Sequence, residues 1–314
     1  MTLSSQRPWP DIPYKEWEGS CKALHLWSQI VGKYRLAHTP WVNHSWHATL
    51  YVTPRGLTTG TIPDSGANIE IYFDLKDHRL VGHAQDGAVE SFALEGMSVA
   101  DFYTKTQDLI RRLGGTPHIH HRPNEIPNAL PFLKDIEERP YDPQAVEKFH
   151  LALTYIQDVF TYFRSGFLGK ASPVHLFWGS FDLAVTRFSG RLAPRHPGGI
   201  PNLPDNITEE AYSHEVSSAG FWPGGNGTEA MFYAYAYPTP TGFKDQTISP
   251  KEAYFDDTLG EFLLPYKVVQ QAADPTQTLM DFLQSTYEAA ARLADWDQPA
   301  LECEFGQPRR PRAL

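Results

Sequence analysis

The sequence predicts an α+β fold of two similar lobes, each an antiparallel sheet covered by helices on one face. Three observations lead to this prediction. Several apolar runs have helical spacing, other segments alternate polar and apolar residues between short turns, and both halves follow a similar order of elements. The chain of 314 residues also exceeds the length at which a single hydrophobic core usually stops growing.

The first half begins with a helix from Tyr14, because apolar residues recur at three- and four-residue steps until Gly32 ends the run. Alternating segments joined by tight turns then predict an antiparallel sheet. Ser98 and Asp101 form a capping box that opens a second helix. The predicted elements are the helix 14–32, strands 48–53 and 68–75, short strands near 80 and 92, the helix 98–113 and the strand 118–122.

In the second half, Asp142-Pro143 and Asp274-Pro275 each place an N-cap aspartate before a proline at the first helical position. Each pair therefore predicts the start of a helix. Between these helices, strands alternate with loops rich in proline and glycine. The predicted elements are the helix 143–167, the strand stretch 174–191, strands 212–219 and 231–237, the apolar run 262–266 and a last helix from 275.

The closing helices of the two halves carry the same residues at the same spacing. Asp101-Phe102, Thr106 and Arg112-Leu113 repeat as Asp281-Phe282, Thr286 and Arg292-Leu293. Internal duplication and coincidence both explain these matches, and the shared order of elements favours duplication. We therefore predict lobes at 1–137 and 138–314, with a frayed tail from about 304 that includes Arg309-Arg310-Pro311-Arg312.

The composition bounds the partners. A formal charge of −10 argues against nucleic acid or an anionic membrane surface, since both require a basic face. No apolar run approaches the roughly 18 residues that span a bilayer. The chain holds two cysteines and lacks a secretory signal at its N-terminus. The expected location is the reducing cytoplasm.

Arg187 is the unusual residue of the strand stretch 174–191. Alternation places it on one face with Phe181, Leu183 and Val185, while Asp182 points to the other face. A buried guanidinium needs a carboxylate of the protein or an anionic ligand. A structural salt bridge and an acidic ligand are therefore the two interpretations, and Glu215 is a candidate partner for the salt bridge.

Other polar and aromatic residues in the second half complete a candidate site. The candidates for catalysis are His175, His214 and Glu215. Tyr233, Tyr235 and Tyr237 share one face of a strand and form a wall of hydroxyl groups, which suits either a wet pocket or a sheet surface covered by the proline-rich segments. The candidates for ligand binding are Arg187, Trp178, Trp222, Tyr233 and Tyr235.

No metal and no cofactor are predicted. His118 and His120 form an H-x-H pair beside Arg122, and His44 and His47 lie close in sequence, but no third zinc ligand is evident for either pair. The sequence contains no H-E-x-x-H, C-x-x-C, G-x-S-x-G or phosphate-binding glycine motif. The common zinc-protease, hydrolase and nucleotide-binding functions therefore lose their main support.

Four long segments resemble an uncharacterised bacterial family that is classed as a domain of unknown function. They are PWVNHSWH (40–47), SPVHLFWGSFDLAVTR (172–187), HPGGIPNLP (196–204) and YSHEVSSAGFWPGG (212–225). The resemblance covers nearly the whole chain and implies a bacterial, cytoplasmic protein in which these segments form one unit. It implies no activity, substrate or catalytic residue.

Two functions remain open at this stage. The first is a small-molecule-binding protein for an acidic or polar aromatic ligand, with or without acid-base catalysis by a histidine and a carboxylate. The alternative is a non-enzymatic structural or interaction protein in which the polar residues form a buried salt-bridge network. The sequence leaves both the enzyme question and the oligomeric state open.

Overall fold

The computed structural model describes residues 7–64, 66–225 and 227–305 and has the predicted α+β architecture. The basic tail at 309–312 lies outside these residues. The described helices are α1 (Tyr14–His38), α2 (Val99–Arg112), α3 (Pro143–Ser165), α4 (Asp205–Ala211), α5 (Tyr266–Gln271), α6 (Pro275–Leu293) and α7 (Gln298–Leu301). None of these helices combines the length and the apolar character that crossing a membrane requires.

Thirteen strands are described, and all neighbouring strands pair antiparallel. They are β1 (Tyr51–Thr53), β2 (Gly56–Asp64), β3 (Ala67–Asp74), β4 (Arg79–Ala84), β5 (Val89–Ala93), β6 (Met97–Ser98), β7 (Glu138–Arg139), β8 (His175–Phe177), β9 (Asp182–Leu192), β10 (His214–Trp222), β11 (Met231–Tyr237), β12 (Tyr254–Asp256) and β13 (Glu261–Pro265).

The strands form a small two-stranded sheet, β6-β7, and two larger sheets, of which the first contains β1 to β5 in sequence order. Strand β2 was not predicted, because its sequence GLTTGTIPD has few apolar residues and its register shifts between Thr58 and Thr61. Such a bulge interrupts the alternation by which strands are recognised. Helix α2 covers this sheet at β4 and β5, and α1 covers it at β2.

The second sheet has the order β12-β13-β11-β10-β9-β8. Ser218 of β10 lies opposite Thr186 on one side and Tyr235 on the other. Directly opposed residues share a face, so these three side chains project to the same side of the sheet. We call this side the tyrosine face, and we call the opposite side, which carries Val185 and Arg187, the helix face because α3 and α6 pack on it.

Helix α1 is longer than predicted and continues through Gly32 to His38. Gly32 is a glycine for a packing reason and not as a helix end. It lies under the Trp178 ring, and a side chain at this position would collide with the indole. The aromatic side chains of α1 join the helical layers: Trp17 lies 4.7 Å from the Phe149 ring of α3, and Trp27 lies 4.8 Å from the Phe102 ring of α2. The buried apolar side chains form one continuous core across both sheets.

Two further predictions need correction. The segment 118–122 is not a strand, and within it His121 instead accepts a backbone hydrogen bond from Phe132 at 2.9 Å. The strand predicted at 212–219 runs from His214 to Trp222, because a helix absent from the prediction, α4, occupies the residues just before it. The two sheets differ in strand number and order, and the predicted duplication and lobe boundary stay predictions.

Both Asp-Pro helix starts are confirmed. The Asp142 carboxylate accepts hydrogen bonds from the backbone amides of Gln144 and Ala145, at 2.9 and 3.3 Å.

Replacing this cap, Asp142→Ala, should lower the free energy of unfolding by about 1 kcal/mol, because two amides at the start of α3 lose their acceptor. Urea denaturation measures the loss. Asp158→Ala, in the exposed part of the same helix, is the control, and equal losses in both variants would contradict the capping role.

Candidate functional site

Arg187 lies on the helix face, as predicted, and its guanidinium is held by groups other than Glu215. Only 1% of its surface is exposed, and its guanidinium stacks 3.5 Å above the Phe163 ring and 4.3 Å from the Tyr287 ring, with Phe167 at 5.1 Å. It donates a hydrogen bond to the Phe163 carbonyl. Burial lowers its pKa to about 10, opposed by the nearby Tyr287 and Glu302. An aromatic cage and a carbonyl therefore hold this cation inside the protein.

Glu215 is not the partner of Arg187. Its carboxylate accepts hydrogen bonds from Arg191 at 2.8 Å and from the Ser189 hydroxyl at 2.8 Å. The neighbouring His214 lies at the start of β10, where its Nδ1 is 3.1 Å from the Ser213 hydroxyl. These contacts place the two separate catalytic candidates His214 and Glu215 at the end of the strand that is farthest from Trp222.

His175 and Trp178 occupy buried positions near the edge strand β8. The His175 ring is 1% exposed, packs 4.6 Å from the Phe177 ring, and has no hydrogen-bond partner for either nitrogen in the described part of the chain. Burial lowers its pKa to about 4, so the ring is neutral at pH 7. The Trp178 indole donates to the Ala48 carbonyl at 2.7 Å.

A buried carboxylate marks the centre of the tyrosine face. Asp182 is 5% exposed and accepts hydrogen bonds from the Tyr233 hydroxyl at 2.5 Å and from the Ser180 hydroxyl at 2.8 Å. Burial raises the pKa of Asp182 despite these two donors. The preceding residue, Phe181, has a left-handed φ of 58°, a conformation that costs a non-glycine residue about 1 kcal/mol or more. This backbone turn leads directly into Asp182.

Small residues form the floor under the Tyr233 hydroxyl. Gly220 of β10 lies opposite Ala184 of β9 and Tyr233 of β11, and His175 lies opposite Ala184 on its other side. The four residues therefore form one row across the tyrosine face. A side chain at Gly220 would collide with the Tyr233 phenol ring, so only glycine lets this hydroxyl reach Asp182.

Further hydroxyl groups line the next row of the same face. The hydroxyls of Thr186 and Ser218 are 2.8 Å apart, and those of Tyr212 and Tyr235 are 2.9 Å apart. On the other side of the Tyr233 row, Trp222 lies opposite Met231, and its ring is 4.5 Å from the Tyr233 phenol ring.

Two loops cover the tyrosine face. One is the segment around Glu125, whose backbone amide donates to the Pro201 carbonyl of the other loop at 2.9 Å. The Glu125 carboxylate lies against Gly179, and the residue has a left-handed φ of 61°. Burial and, to a smaller extent, the charge of Asp182 raise the pKa of Glu125 to about 7, against the effects of Ser180 and Lys33.

Helix α1 contributes Lys33 to the same region. Only 3% of this residue is exposed, its ammonium donates to the Asn124 side-chain oxygen, and the Nζ atom lies 5.4 Å from the centre of the Trp178 ring. Burial lowers the pKa of Lys33 to about 8, and the charge of Glu125 opposes this shift. The lysine amine is therefore partly deprotonated near neutral pH.

Strand β13 supplies a third carboxyl group. Glu261 alternates with Phe262, which lies opposite Ala234, so Glu261 projects to the tyrosine face. Burial and, to a smaller extent, the charges of Asp182 and Asp256 raise its pKa to about 8. Its Oε2 atom is buried and has no hydrogen-bond partner among the described residues.

We call Lys33, Glu125, Asp182, Tyr233 and Glu261 the carboxylate cluster. Asp182 influences the pKa values of both Glu125 and Glu261, and Glu125 and Lys33 influence each other. Groups that change charge between pH 7 and 8 can donate or accept a proton at neutral pH. The arrangement can therefore bind a polar molecule and exchange protons with it.

The structure brings some of the predicted site residues together and separates others. Trp222, Tyr233, Tyr235 and His175 share the tyrosine face, and Trp178 borders it through Lys33. Arg187 lies on the opposite face, and His214 and Glu215 lie at the far end of β10. His214 and Glu215 are adjacent in β10, and adjacent strand residues project to opposite faces, so they do not share one site.

Sequence reasoning missed three members of the carboxylate cluster. Lys33 interrupts an otherwise apolar stretch of a helix, which was a usable signal of a buried charge. Glu125 lies in a proline-rich connection and Glu261 at the start of a short apolar run, and neither position has a periodic pattern that reveals its partners. Asp182 was correctly placed on the face opposite Arg187, the face to which the tyrosines also project.

The histidine pairs considered as metal ligands do not form a metal site in the described part of the chain. Among residues 7–64, 66–225 and 227–305, no group of three histidine, cysteine or acidic side chains could hold a metal ion. His120 stacks on His121 at 5.4 Å. His44 lies 2.6 Å from the Lys170 ammonium, and His47 contacts the backbone of Val42.

Comparison with known proteins gives a family and no activity. The chain matches no curated protein and no solved structure. A family model, described as a family of unknown function (DUF5996), matches residues 9–303 of the 314. This match includes every residue of the carboxylate cluster and both sheets. The chain therefore belongs to the DUF5996 family.

Proposed function

We propose that this chain binds a small polar molecule on the tyrosine face and exchanges a proton with it through the carboxylate cluster. The observation that carries the proposal is the convergence of Lys33, Glu125, Asp182, Tyr233 and Glu261 on one buried surface. These residues come from one helix, one loop and three strands that are far apart in the sequence. Buried ionisable groups lower stability unless they are fully paired, so a cluster with an unpaired carboxylate oxygen favours a functional role.

Strain in the backbone supports the same location. Glu125 and Phe181 both adopt left-handed φ angles, of 61° and 58°. Such residues persist when the surrounding structure holds them, and they concentrate at functional sites. Here they position the Glu125 carboxyl and the Asp182 carboxylate, which are the two groups best placed for proton exchange.

Arg187 supports a different role from the one first considered. A carboxylate or an acidic ligand was expected because a buried guanidinium needs an anion. Aromatic rings surround this guanidinium and it donates to the Phe163 carbonyl, while its buried Nε atom has no hydrogen-bond partner among the described residues. The contacts of Arg187 agree with the alternative function, a structural polar network. It describes the carboxylate cluster poorly, because three carboxyl groups face only one lysine there.

A thermal-shift screen of small polar compounds tests the proposal. A ligand that binds only the folded state stabilises it by about 2.7 kcal/mol at 100 times its dissociation constant, which raises the melting temperature by several degrees. We expect compounds that stabilise the natural sequence to lose most of this effect in Tyr233→Phe, which removes one hydroxyl and keeps the ring.

Tyr103→Phe is the matched control, because Tyr103 is a partly buried tyrosine of α2 that stacks on Phe132 away from the cluster. It should respond as the natural sequence does. A stabilising compound that acts equally on Tyr233→Phe and on the natural sequence would place the binding site elsewhere and contradict the proposal.

The location of the protein also stays a proposal. The structure leaves Cys21 and Cys303 as free thiols, Cys21 buried and Cys303 3.3 Å from the Ser165 carbonyl. Free thiols fit a reducing compartment such as the bacterial cytoplasm. A bacterial origin rests on the family resemblance of the sequence.

A further inference from the structure

We propose that Lys170 is a nucleophilic amine that forms a Schiff base with a small aldehyde, and that His44 is its proton acceptor. These two residues form a second site, which shares no residue with the carboxylate cluster. The inference therefore goes beyond the proposed function, and its test does not depend on that function.

The contact between the two side chains is the first observation. The Nζ atom of Lys170 lies 2.6 Å from the Nε2 atom of His44. The Nδ1 atom of the same ring lies 3.1 Å from the Ala211 carbonyl oxygen. A carbonyl oxygen can only accept, so Nδ1 carries the hydrogen and the lone pair of Nε2 faces the lysine amine. A nucleophile, a base within hydrogen-bond reach and a third group that orients the base together make an activated nucleophile.

The protein holds the His44 ring in a conformation that costs backbone energy. The residue is 4% exposed, and His44 and Ser45 have left-handed φ angles of 57° and 55°. The backbone amide of His44 donates to the Glu210 carboxylate of α4 at 2.7 Å, which fixes this turn. Residues other than glycine keep such angles where the surrounding structure holds them, and they concentrate at functional sites.

The protonation state of His44 suits a proton acceptor. Burial and, to a smaller extent, the charges of Lys170 and His214 lower the pKa of His44, against the effects of Glu210 and the Ala211 carbonyl. The ring is therefore neutral at pH 7, and Nε2 is free to take up a proton.

Lys170 differs from lysines that form ion pairs on the surface. Lys22 and Lys244 each pair with a carboxylate, at 2.6 and 3.2 Å. Lys170 forms no ion pair within the described ranges, and the polar partner of its amine is the His44 ring. Burial lowers the pKa of Lys170, and the charge of Glu210 opposes this shift. A larger share of this amine is therefore in the unprotonated form that attacks a carbonyl group.

The surroundings of the amine suit an aldehyde with an apolar body. Lys170 is exposed, so a small molecule can reach it from solvent. Its Nζ atom lies 4.9 Å from the centre of the Phe188 ring and 5.5 Å from that of the Trp46 ring. The Phe188 amide also donates to the Lys170 carbonyl at 3.0 Å, which fixes the lysine beside β9. The two rings offer apolar contact to the aldehyde and attract a protonated imine.

The reaction balances with an aldehyde as the only added reactant. The neutral Lys170 amine attacks the carbonyl carbon, a C–N bond forms, and the carbonyl π pair moves to oxygen. The nitrogen of this adduct loses a proton to Nε2 of His44, which passes the proton to the oxygen and gives a carbinolamine. A second proton follows the same route, the C–O bond breaks, and water leaves as the C=N bond forms. The products are one imine and one water molecule.

Reductive trapping with benzaldehyde tests the proposal on the full chain. Cyanoborohydride reduces the imine to a stable amine, and peptide mapping by mass spectrometry gives the labelling rate of each lysine. At pH 7.5 we expect Lys170 to be labelled about tenfold or more faster than the exposed Lys22 and Lys244, because it alone of the three has a positioned proton acceptor. Lys170 should lose this advantage in the urea-denatured chain, where the contact with His44 is absent.

A pair of matched histidine variants tests the role of His44. His44→Asn removes the acceptor nitrogen and introduces a residue that tolerates a left-handed φ. It should lower the labelling rate of Lys170 to that of Lys22 and Lys244. His78→Asn is the control, because His78 also has a left-handed φ, of 49°, and its Nδ1 atom contacts the Tyr141 hydroxyl instead. The control should leave the labelling of Lys170 unchanged.

Two results would overturn the proposal. The first is a labelling rate of Lys170 in the folded natural sequence that equals those of Lys22 and Lys244. The second is fast labelling of Lys170 that persists in His44→Asn, because His44 would then have no role. His44→Gln replaces His44→Asn in this test should the asparagine variant fold poorly.

Discussion

Replacing Arg187 with alanine should lower the free energy of unfolding by about 3 to 5 kcal/mol, the range for truncating a large side chain in a packed core. The guanidinium fills the space between Phe163 of α3 and Tyr287 of α6, and it satisfies the Phe163 carbonyl. Alanine would leave a cavity between the two helices and a buried carbonyl without its donor. Chemical denaturation at pH 7 measures the loss.

Two further variants separate the contributions of packing and of charge to this loss of stability. Arg187→Met fills the cage without a charge, so its stability relative to alanine measures packing, and the remaining difference from arginine measures the cation and its hydrogen bond. Arg191→Ala removes an exposed arginine that pairs with Glu215, and it should cost no more than about 1 kcal/mol. A loss below that value for Arg187→Ala would show that the cage contributes little to the fold.

The two glutamates Glu125 and Glu261 should lower the stability of the natural sequence by about 1 to 2 kcal/mol between pH 6.5 and pH 8, relative to a double variant that lacks both carboxyl groups. Their folded pKa values, about 7 and 8, lie above the ordinary value of 4.5. In this range the folded state keeps protons that the unfolded chain has released. The stabilising effect is therefore complete below pH 4.5 and is lost as pH rises through 7 and 8.

Other groups limit the window in which this fall is visible. The histidines with lowered pKa, such as His175, are partly protonated in the unfolded chain near pH 6.5 and neutral in both states above about pH 7.5, so they raise stability as pH rises between these values. Lys33 has a folded pKa of about 8 against an ordinary value of 10.5, so its contribution is lost as pH falls through 8 and returns above that value. Both effects oppose the fall, so only the comparison with a variant that lacks the two carboxyl groups isolates the glutamates.

The double variant Glu125→Gln with Glu261→Gln isolates the two glutamates. It should be more stable than the natural sequence at pH 8 and should show no fall between pH 6.5 and 8. Melting temperatures across this range, measured for both proteins, provide the comparison. A variant that is less stable at every pH would instead mean that the carboxyl groups support the fold, as a structural network does.

The fold could be predicted where local signals and tertiary packing agree. The starts of α3 and α6 were correct because an aspartate cap followed by proline has one favourable structure. The extent of α1 was wrong because Gly32 serves the approach of Trp178, 146 positions later in the chain, and no local pattern contains that contact. Strand β2 was missed because its bulge interrupts the alternation.

The candidate site was predictable only in part for a related reason. Alternation along β9 and β11 assigned Asp182 and the tyrosines to faces correctly, since period-two geometry is local. Which faces meet depends on strand pairing, and which loops cover them depends on contacts such as that between Glu125 and Pro201. The sequence identified Arg187 as a buried charge, but it gave no sign that the partners of this charge are aromatic rings.

The close contact between Gly220 and Tyr233 limits which substitutions this site can accept during evolution. Every single replacement of a glycine adds at least one carbon, and at this position that carbon would displace the Tyr233 ring and break its hydrogen bond to Asp182. Neighbouring residues on the tyrosine face can be exchanged for others of similar size, but residue 220 has no smaller or equal substitute. A descendant chain that loses this glycine would therefore need a new donor for Asp182, so the site permits variation around its rim more readily than at its floor.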